Sequence, residues 1–298
     1  MYKEQLSGVF APITTPFHEN GALDLDGLKR NMEFYAASSI QGYLALGSNG
    51  ENKSLAGEEK FRVLETIIGG KAKNQCVMAG CIAESTYETI ELAKRAEALG
   101  ADFITLLSPS YFKSQMTDEV LERYFTDVAD SVSTPCLLYC APQFSAGVTL
   151  SARLVAKAAC HPNIVGMKDS STGNIDDYLM AAPADFAVMA GSANFYTSAL
   201  LGGAPGGVLS LANIFPEETG KLYNAFKAKD YETLFAQNKR VQRLNKSISG
   251  KGGVSGVKAA MSLAGLVGGY PRLPLLPLKQ QDVDTLKAFL LKENLIAG

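Results

Sequence analysis

Short apolar runs alternate with longer amphipathic ones along most of this chain. The runs Gly8–Ile13, Gly42–Leu46, Cys76–Gly80, Phe103–Leu107, Cys136–Tyr139, Ile164–Met167, Ala187–Ala190 and Gly207–Leu211 are four to six residues long and hardly alternate in polarity. That is the pattern of parallel strands buried on both faces. Helical periodicity fills the gaps. Asp24–Ser38 places Leu25, Leu28, Met32 and Tyr35 on one face. Thr86–Leu99 does the same with Ile90, Ala93, Ala96 and Ala98, and Gly100 ends it as a C-cap. Thr117–Val132 and Ser151–Ala159 continue the series, each opening on an N-capping hydroxyl.

Eight strands, each followed by a helix or a helix-length segment, imply a parallel sheet. Eight such units within residues 1–226 fit a closed (β/α)8 barrel of the TIM type better than an open doubly wound sheet. The dinucleotide fingerprint G-x-G-x-x-G is missing after the first strand, which weakens the open-sheet alternative. Beyond about Lys227 only helices follow: Tyr231–Lys246, Val257–Leu266 and Asp282–Glu293, separated by Gly250–Gly256 and Pro271–Pro277. Residues 227–298 therefore read as a C-terminal helical appendage.

Composition narrows the function. With 28 basic and 30 acidic side chains among 298 residues the net charge is −2, which gives no electrostatic reason to expect nucleic acid or an anionic membrane as partner. The five cysteines (Cys76, Cys81, Cys136, Cys140 and Cys160) lie scattered and lack C-x-x-C spacing, and His18 and His161 are the only imidazoles. No metal site is expected, and the cysteines read as reduced thiols. The start Met1-Tyr2-Lys3-Glu4-Gln5 opens no signal-peptide core, and no apolar run reaches membrane-spanning length, so a cytoplasmic protein is expected.

Barrel enzymes place their chemistry at the C-terminal ends of the strands. There stand Gly47-Ser48-Asn49-Gly50-Glu51 after the second strand, Pro109-Ser110-Tyr111-Phe112 after the fourth, Tyr139-Cys140-Ala141-Pro142 after the fifth and Lys168-Asp169-Ser170 after the sixth. A strand-end lysine is more often simply solvated. One directed into an apolar cavity loses solvation of its ammonium form, which favours the neutral amine. A neutral amine can attack a carbonyl and form a Schiff base. Tyr139, on the adjacent strand, can move protons beside that amine, although alone it would read as a rim aromatic. The Gly47–Glu51 turn offers backbone N–H groups and small side chains for a carboxylate, although such turns are also common without ligands.

These residues resemble the dihydrodipicolinate synthase / N-acetylneuraminate lyase family of pyruvate-handling class I aldolases. The resemblance spans the chain, from Ala11-Pro12-Ile13-Thr14-Thr15-Pro16-Phe17 through the 47–51 turn, Tyr139-x-x-Pro142 and Gly166-Met167-Lys168-Asp169-Ser170. It continues in Gly191-Ser192 and Gly206–Asn213. It implies that Lys168 forms an imine with pyruvate or another 2-oxo acid and that Tyr139 transfers protons. It further implies that Ser48 relays between Tyr139 and a Tyr111 supplied by a neighbouring subunit of a homo-oligomer, a dimer or tetramer. Gly47, Ser48 and Asn49 would hold the carboxylate, Gly191 and Leu209 would line the pyruvate pocket, and Ser170 would face the substrate. No cofactor is implied, and the partners are a 2-oxo acid and an aldehyde.

Two departures bear on which member this is. In the synthases an arginine after Tyr-x-x-Pro binds the carboxylate of aspartate semialdehyde, whereas this chain reads Pro142-Gln143-Phe144-Ser145-Ala146-Gly147. Losing a desolvated bidentate partner would cost on the order of 2–5 kcal/mol. Ser110 also stands in place of the first residue of the usual Tyr-Tyr pair. Asn49, Gly256-Val257-Lys258-Ala259-Ala260-Met261 and Gly268-Gly269-Tyr270-Pro271-Arg272-Leu273-Pro274 resemble 4-hydroxy-2-oxoglutarate and 2-keto-3-deoxy sugar acid aldolases. A retro-aldol lyase releasing pyruvate is expected, with the synthase and a non-catalytic 2-oxo acid binder as rivals. Retention of lysine, tyrosine and serine together favours an enzyme, because binding alone needs no proton relay.

Other motifs carry less. Ser249-Gly250-Lys251-Gly252-Gly253 lacks the order of a phosphate loop and reads as a flexible lead-in to the next helix. Gly202–Gly207 reads as a tight turn. Glu58-Glu59 and Asp176-Asp177 fall in helix first turns, where they complement the dipole.

Overall fold

A computed structural model describes residues 2–297. Eight parallel strands close into a barrel in the order β1-β2-β3-β4-β5-β6-β7-β8, with β1 paired to β8. They are β1 (Gly8–Pro12), β2 (Gly42–Ala45), β3 (Cys76–Gly80), β4 (Phe103–Leu107), β5 (Cys136–Cys140), β6 (Ile164–Asp169), β7 (Ala187–Ala190) and β8 (Gly206–Val208). Nearly every strand residue is buried, as the unalternating apolar runs require. The expected (β/α)8 TIM barrel is the observed architecture.

The helices are α1 (Tyr2–Gln5), α2 (Leu25–Ala36), α3 (Gly57–Gly70), α4 (Thr86–Ala98), α5 (Asp118–Asp130), α6 (Ala152–Ala158), α7 (Ile175–Ala181), α8 (Tyr196–Leu201) and α9 (Pro216–Lys227), followed by α10 (Tyr231–Leu263) and α11 (Gln280–Lys292). Four of the barrel helices start at side chains that accept otherwise orphaned backbone N–H groups. Asp24 caps α2, Ser85 caps α4, Thr117 caps α5 and Ser151 caps α6. Phe10, Leu44, Met78, Leu137, Met189 and Val208 fill the barrel interior, while a larger cluster lies between strands and helices.

Two expectations need correction. The eighth strand ends at Val208, not Leu211, because Ser210–Asn213 winds into a 3-10 turn. The Gly250–Gly256 stretch is not a linker but part of α10, broken at Gly253, whose φ of 53° and ψ of −136° leave the helical region. Only glycine adopts that conformation freely. Leu234, Val241, Leu244, Ile248, Val257, Ala260 and Met261 of α10 join the same cluster as the outer faces of the strands, so the helix packs directly on the barrel.

Candidate active site

A cavity of about 900 Å³ opens at the C-terminal ends of the strands. Its floor is set by β5 and β6, whose register places Tyr139 beside Lys168. Side chains alternate along a strand, so Lys168 turns inward while Asp169 turns toward the helices. Lys168 is 5% exposed, and its Nζ lies 4.1 Å from the centroid of the Tyr139 ring. The Tyr139 hydroxyl, itself almost wholly buried, lies 3.3 Å from Ser48 Oγ. An amine, a phenol and a serine hydroxyl thus stand in sequence along one wall.

The Gly47–Glu51 turn supplies that serine. Gly50 N–H donates to the Gly47 carbonyl and Glu51 N–H to the Ser48 carbonyl, both at 3.1 Å. The turn is bracketed by two non-glycine residues in the left-handed region, Leu46 (φ 57°) and Glu51 (φ 52°). Each costs about 1–2 kcal/mol, so contacts from outside the turn must hold it. Thr15 Oγ1 donates to the Gly50 carbonyl at 2.8 Å, and Asn49 Nδ2 donates to Ser210 Oγ at 2.9 Å. Asn213 secures the neighbouring strand ends by donating to the carbonyls of Pro12 and Ser210.

Ser48, Asn49, Tyr139, Lys168, Ser170 and Gly191 all line the cavity. Gly191 N–H donates to the Asp169 carbonyl at 2.6 Å, an approach that leaves no room for a Cβ. Behind this wall Asp169 Oδ1 accepts the Ser171 N–H at 2.9 Å and the Ser171 hydroxyl at 2.5 Å. Burial pushes the Asp169 carboxyl up from its ordinary range, while the two Ser171 donors pull it back.

Two expected positions lie outside the cavity lining, and Tyr111, expected to act from a neighbouring subunit, lies on the surface of its own chain. Gly47 shapes the turn without lining the cavity. The Leu209 side chain is fully buried in the cluster between strands and helices, and Val208 and Ser210 line the cavity instead. Leu209 keeps an extended backbone (φ −118°, ψ 119°), which turns its side chain away from the face Val208 presents, and Ser210 opens the 3-10 turn that follows. Tyr111 is 80% exposed, stacked edge-on against Phe112 at 5.0 Å, with its backbone N–H donated to Glu84 at 2.9 Å. Within one chain it does not reach Ser48.

Sequence reasoning missed the outer wall. Ser249, Gly252, Gly253 and Ser255 from the broken part of α10, with Pro274 and Leu275, line the cavity together with Gln143 and Thr172. The signal was present in the glycine-rich stretch, but its contact with the barrel was not.

The model of the dihydrodipicolinate synthetase family matches residues 5–293. The chain belongs to that family. It is 33% identical over 293 residues to a 4-hydroxy-tetrahydrodipicolinate synthase of Acidiphilium cryptum, covering 97% of this chain and 99% of the relative. It is 32% identical over 286 residues to a probable mitochondrial 4-hydroxy-2-oxoglutarate aldolase of Emericella nidulans, covering 94% and 92%. Among solved structures, dihydrodipicolinate synthase from Aquifex aeolicus superposes with a TM-score of 0.91 at 27% identity, over 97% of this chain and 98% of the other. YagE, a prophage protein of E. coli K12 solved in complex with pyruvate, gives 0.91 at 27% identity, over 97% and 99%. As a dihydrodipicolinate synthetase family member the protein is a lyase of the class I aldolase type. Among the described residues no helix is long and apolar enough to cross a membrane.

Proposed function

We propose that this protein is a Schiff-base aldolase that cleaves a 4-hydroxy-2-oxo acid or a 2-keto-3-deoxy sugar acid to pyruvate and an aldehyde. The reading rests on one observation above all: a buried amine, Lys168 Nζ, 4.1 Å from the ring of a phenol whose hydroxyl meets Ser48. The Lys168 amine adds to the C2 carbonyl of the 2-oxo acid, Tyr139 gives its phenolic proton to the departing hydroxyl, water leaves, and a protonated imine and a Tyr139 phenolate remain. Tyr139 takes the proton of the C4 hydroxyl as the C3–C4 bond breaks. The bonding electrons move into the imine to give an enamine, and the aldehyde departs. Protonation at C3 and hydrolysis then release pyruvate and regenerate the amine. Ser48 passes protons between Tyr139 and the Tyr111 of a neighbouring subunit in a homo-oligomer, and Ser48 with Asn49 holds the carboxylate. The five free thiols suit a reducing, cytoplasmic setting.

The rival reading is the synthase one, condensation of pyruvate with aspartate semialdehyde, which relatives named 4-hydroxy-tetrahydrodipicolinate synthase support. Against it stands the Pro142–Gly147 stretch, which carries Gln143 toward the cavity and contains no arginine. Borohydride reduction in the presence of pyruvate is expected to fix an adduct on Lys168, read by peptide mass. No adduct there would refute the imine mechanism. A panel of 4-hydroxy-2-oxo acids and 2-keto-3-deoxy sugar acids, coupled to pyruvate detection, is expected to show turnover above that with pyruvate plus aspartate semialdehyde. The reverse order would make it a synthase, and adduct formation without turnover of any substrate would favour a binder.

A further inference from the structure

We propose that Lys258 is a positioning residue for the 2-oxo acid carboxylate, fixing the Gly47–Glu51 turn through its ion pair with Glu51. The proposal rests on the Schiff-base reading and deepens it.

Lys258 lies in the part of α10 beyond the break at Gly253 and is 1% exposed. Its ammonium is ion-paired with the Glu51 carboxylate, donates to the Tyr270 carbonyl at 2.7 Å and sits 4.7 Å from the centroid of the Phe17 ring. The other Glu51 oxygen accepts the Arg272 N–H at 2.8 Å. The Arg272 guanidinium lies 4.2 Å from the same Phe17 ring and is held by both carboxylate oxygens of Glu59. A buried chain of charges therefore runs from the cavity wall, where Glu51 stands, into α10 and the 270–272 segment. Lys258 itself does not line the cavity.

Stability alone does not account for such a pair. Two charges withdrawn from water are often replaced by packed apolar residues at no loss. What an ion pair supplies is direction, and direction is what this turn needs. Glu51 is held in a left-handed conformation, one residue after Gly50 and two after Asn49. Thr15 and Ser210 tether the turn with neutral hydrogen bonds, at Gly50 and Asn49. Lys258 provides the charged tether at its end. Without it Glu51 would be left as an unpaired buried carboxylate, driven toward water through the cavity beside Ser48 and Asn49.

The test measures the pyruvate concentration that half-saturates borohydride-trappable imine on Lys168, together with the maximal trapping rate and the thermal midpoint. Lys258→Met is expected to raise the half-saturating concentration roughly tenfold while the maximal rate stays within about threefold. Leu290→Ala, in the buried face of α11 away from the turn, serves as a destabilised control and is expected to leave half-saturation unchanged. Adding Glu51→Gln to Lys258→Met removes the stranded charge, so the double variant is expected to bind pyruvate better than the product of the two single effects. Unchanged half-saturation in Lys258→Met, or an equal shift in Leu290→Ala, overturns the proposal. If Lys258→Met does not fold, Glu51→Gln alone decides, and unaltered half-saturation there overturns it. Absence of the adduct in the unaltered protein refutes the Schiff-base reading first, and this proposal with it.

Discussion

Replacing Tyr139 by phenylalanine deletes one buried hydroxyl and leaves the ring beside Lys168. The two consequences differ in size, and that difference separates chemistry from folding. In the fold the hydroxyl meets Ser48 Oγ at 3.3 Å, and Ser48 is half-buried, so it can turn to solvent when its partner goes. The lost hydrogen bond is worth about 0.5–1.5 kcal/mol, a fall in thermal midpoint of about 1–6 °C for a chain of this size. In the proposed chemistry the same group moves the protons, and losing a positioned acid–base group slows a step about 10²–10⁴-fold, equivalent to about 3–5 kcal/mol of barrier. The assay needs no knowledge of the aldehyde. Enamine formation exchanges the C3 protons of pyruvate, so deuterium entering its methyl group from D2O is followed by NMR. The expected result is exchange at least a hundredfold slower with the midpoint nearly kept. Exchange within threefold of the unaltered protein would show that another group moves the proton.

Three further outcomes follow from the geometry. In Gly191→Ala the new Cβ would stand 2.5 Å from the Asp169 carbonyl oxygen, forcing backbone to move; a cost of about 1–3 kcal/mol should appear as a lowered midpoint and slower exchange, and full retention of both would refute the packing argument. Tyr111→Phe is expected to slow proton exchange without lowering the midpoint, because the side chain is exposed within one chain; a fully active monomer in sedimentation would remove the role given to a neighbouring subunit. For Glu218, burial raises the carboxyl but Arg240 at 2.7 Å and Gln237 at 2.8 Å outweigh it, and the group ends below its ordinary 4.5. A depressed carboxyl stabilises the fold above the unfolded value and loses that contribution as pH falls through the folded one, so Glu218→Gln should flatten the decline of the midpoint below about pH 4.5, and an unchanged slope would show the pair contributes nothing.

The strands were legible almost to the residue where burial on both faces wrote a continuous apolar run, as in Cys76–Gly80, Phe103–Leu107 and Ala187–Ala190. Legibility failed where tertiary contact overrode local preference. Four glycines between 250 and 256 argue against a helix at about 1 kcal/mol each, yet α10 continues to Gly252 and resumes beyond Gly253 because the segment packs on the barrel. Leu209 was misplaced for a related reason: beyond Val208 the strand ends, and sequence alone gives no phase for which neighbour points inward. That Tyr139 and Lys168 line one cavity could be anticipated, because both stand at the ends of adjacent strands. The pairing of Glu51 with Lys258 could not, since nothing local in either segment names its distant partner.

The broken helix gives the cavity two walls of different origin. The floor is made by β5 and β6, where a displacement of Lys168 or Tyr139 disturbs the barrel itself. The outer wall at Ser249–Ser255 belongs to a helix that has already given up its regular backbone at Gly253, so side chains there can change size or polarity with little consequence for the sheet beneath. Such a division lets one scaffold keep the chemistry proposed for Lys168 while its second substrate is exchanged by a few substitutions along the broken stretch of α10. Libraries restricted to positions 249, 252 and 255 are therefore the economical place to redirect this lyase to a new aldehyde.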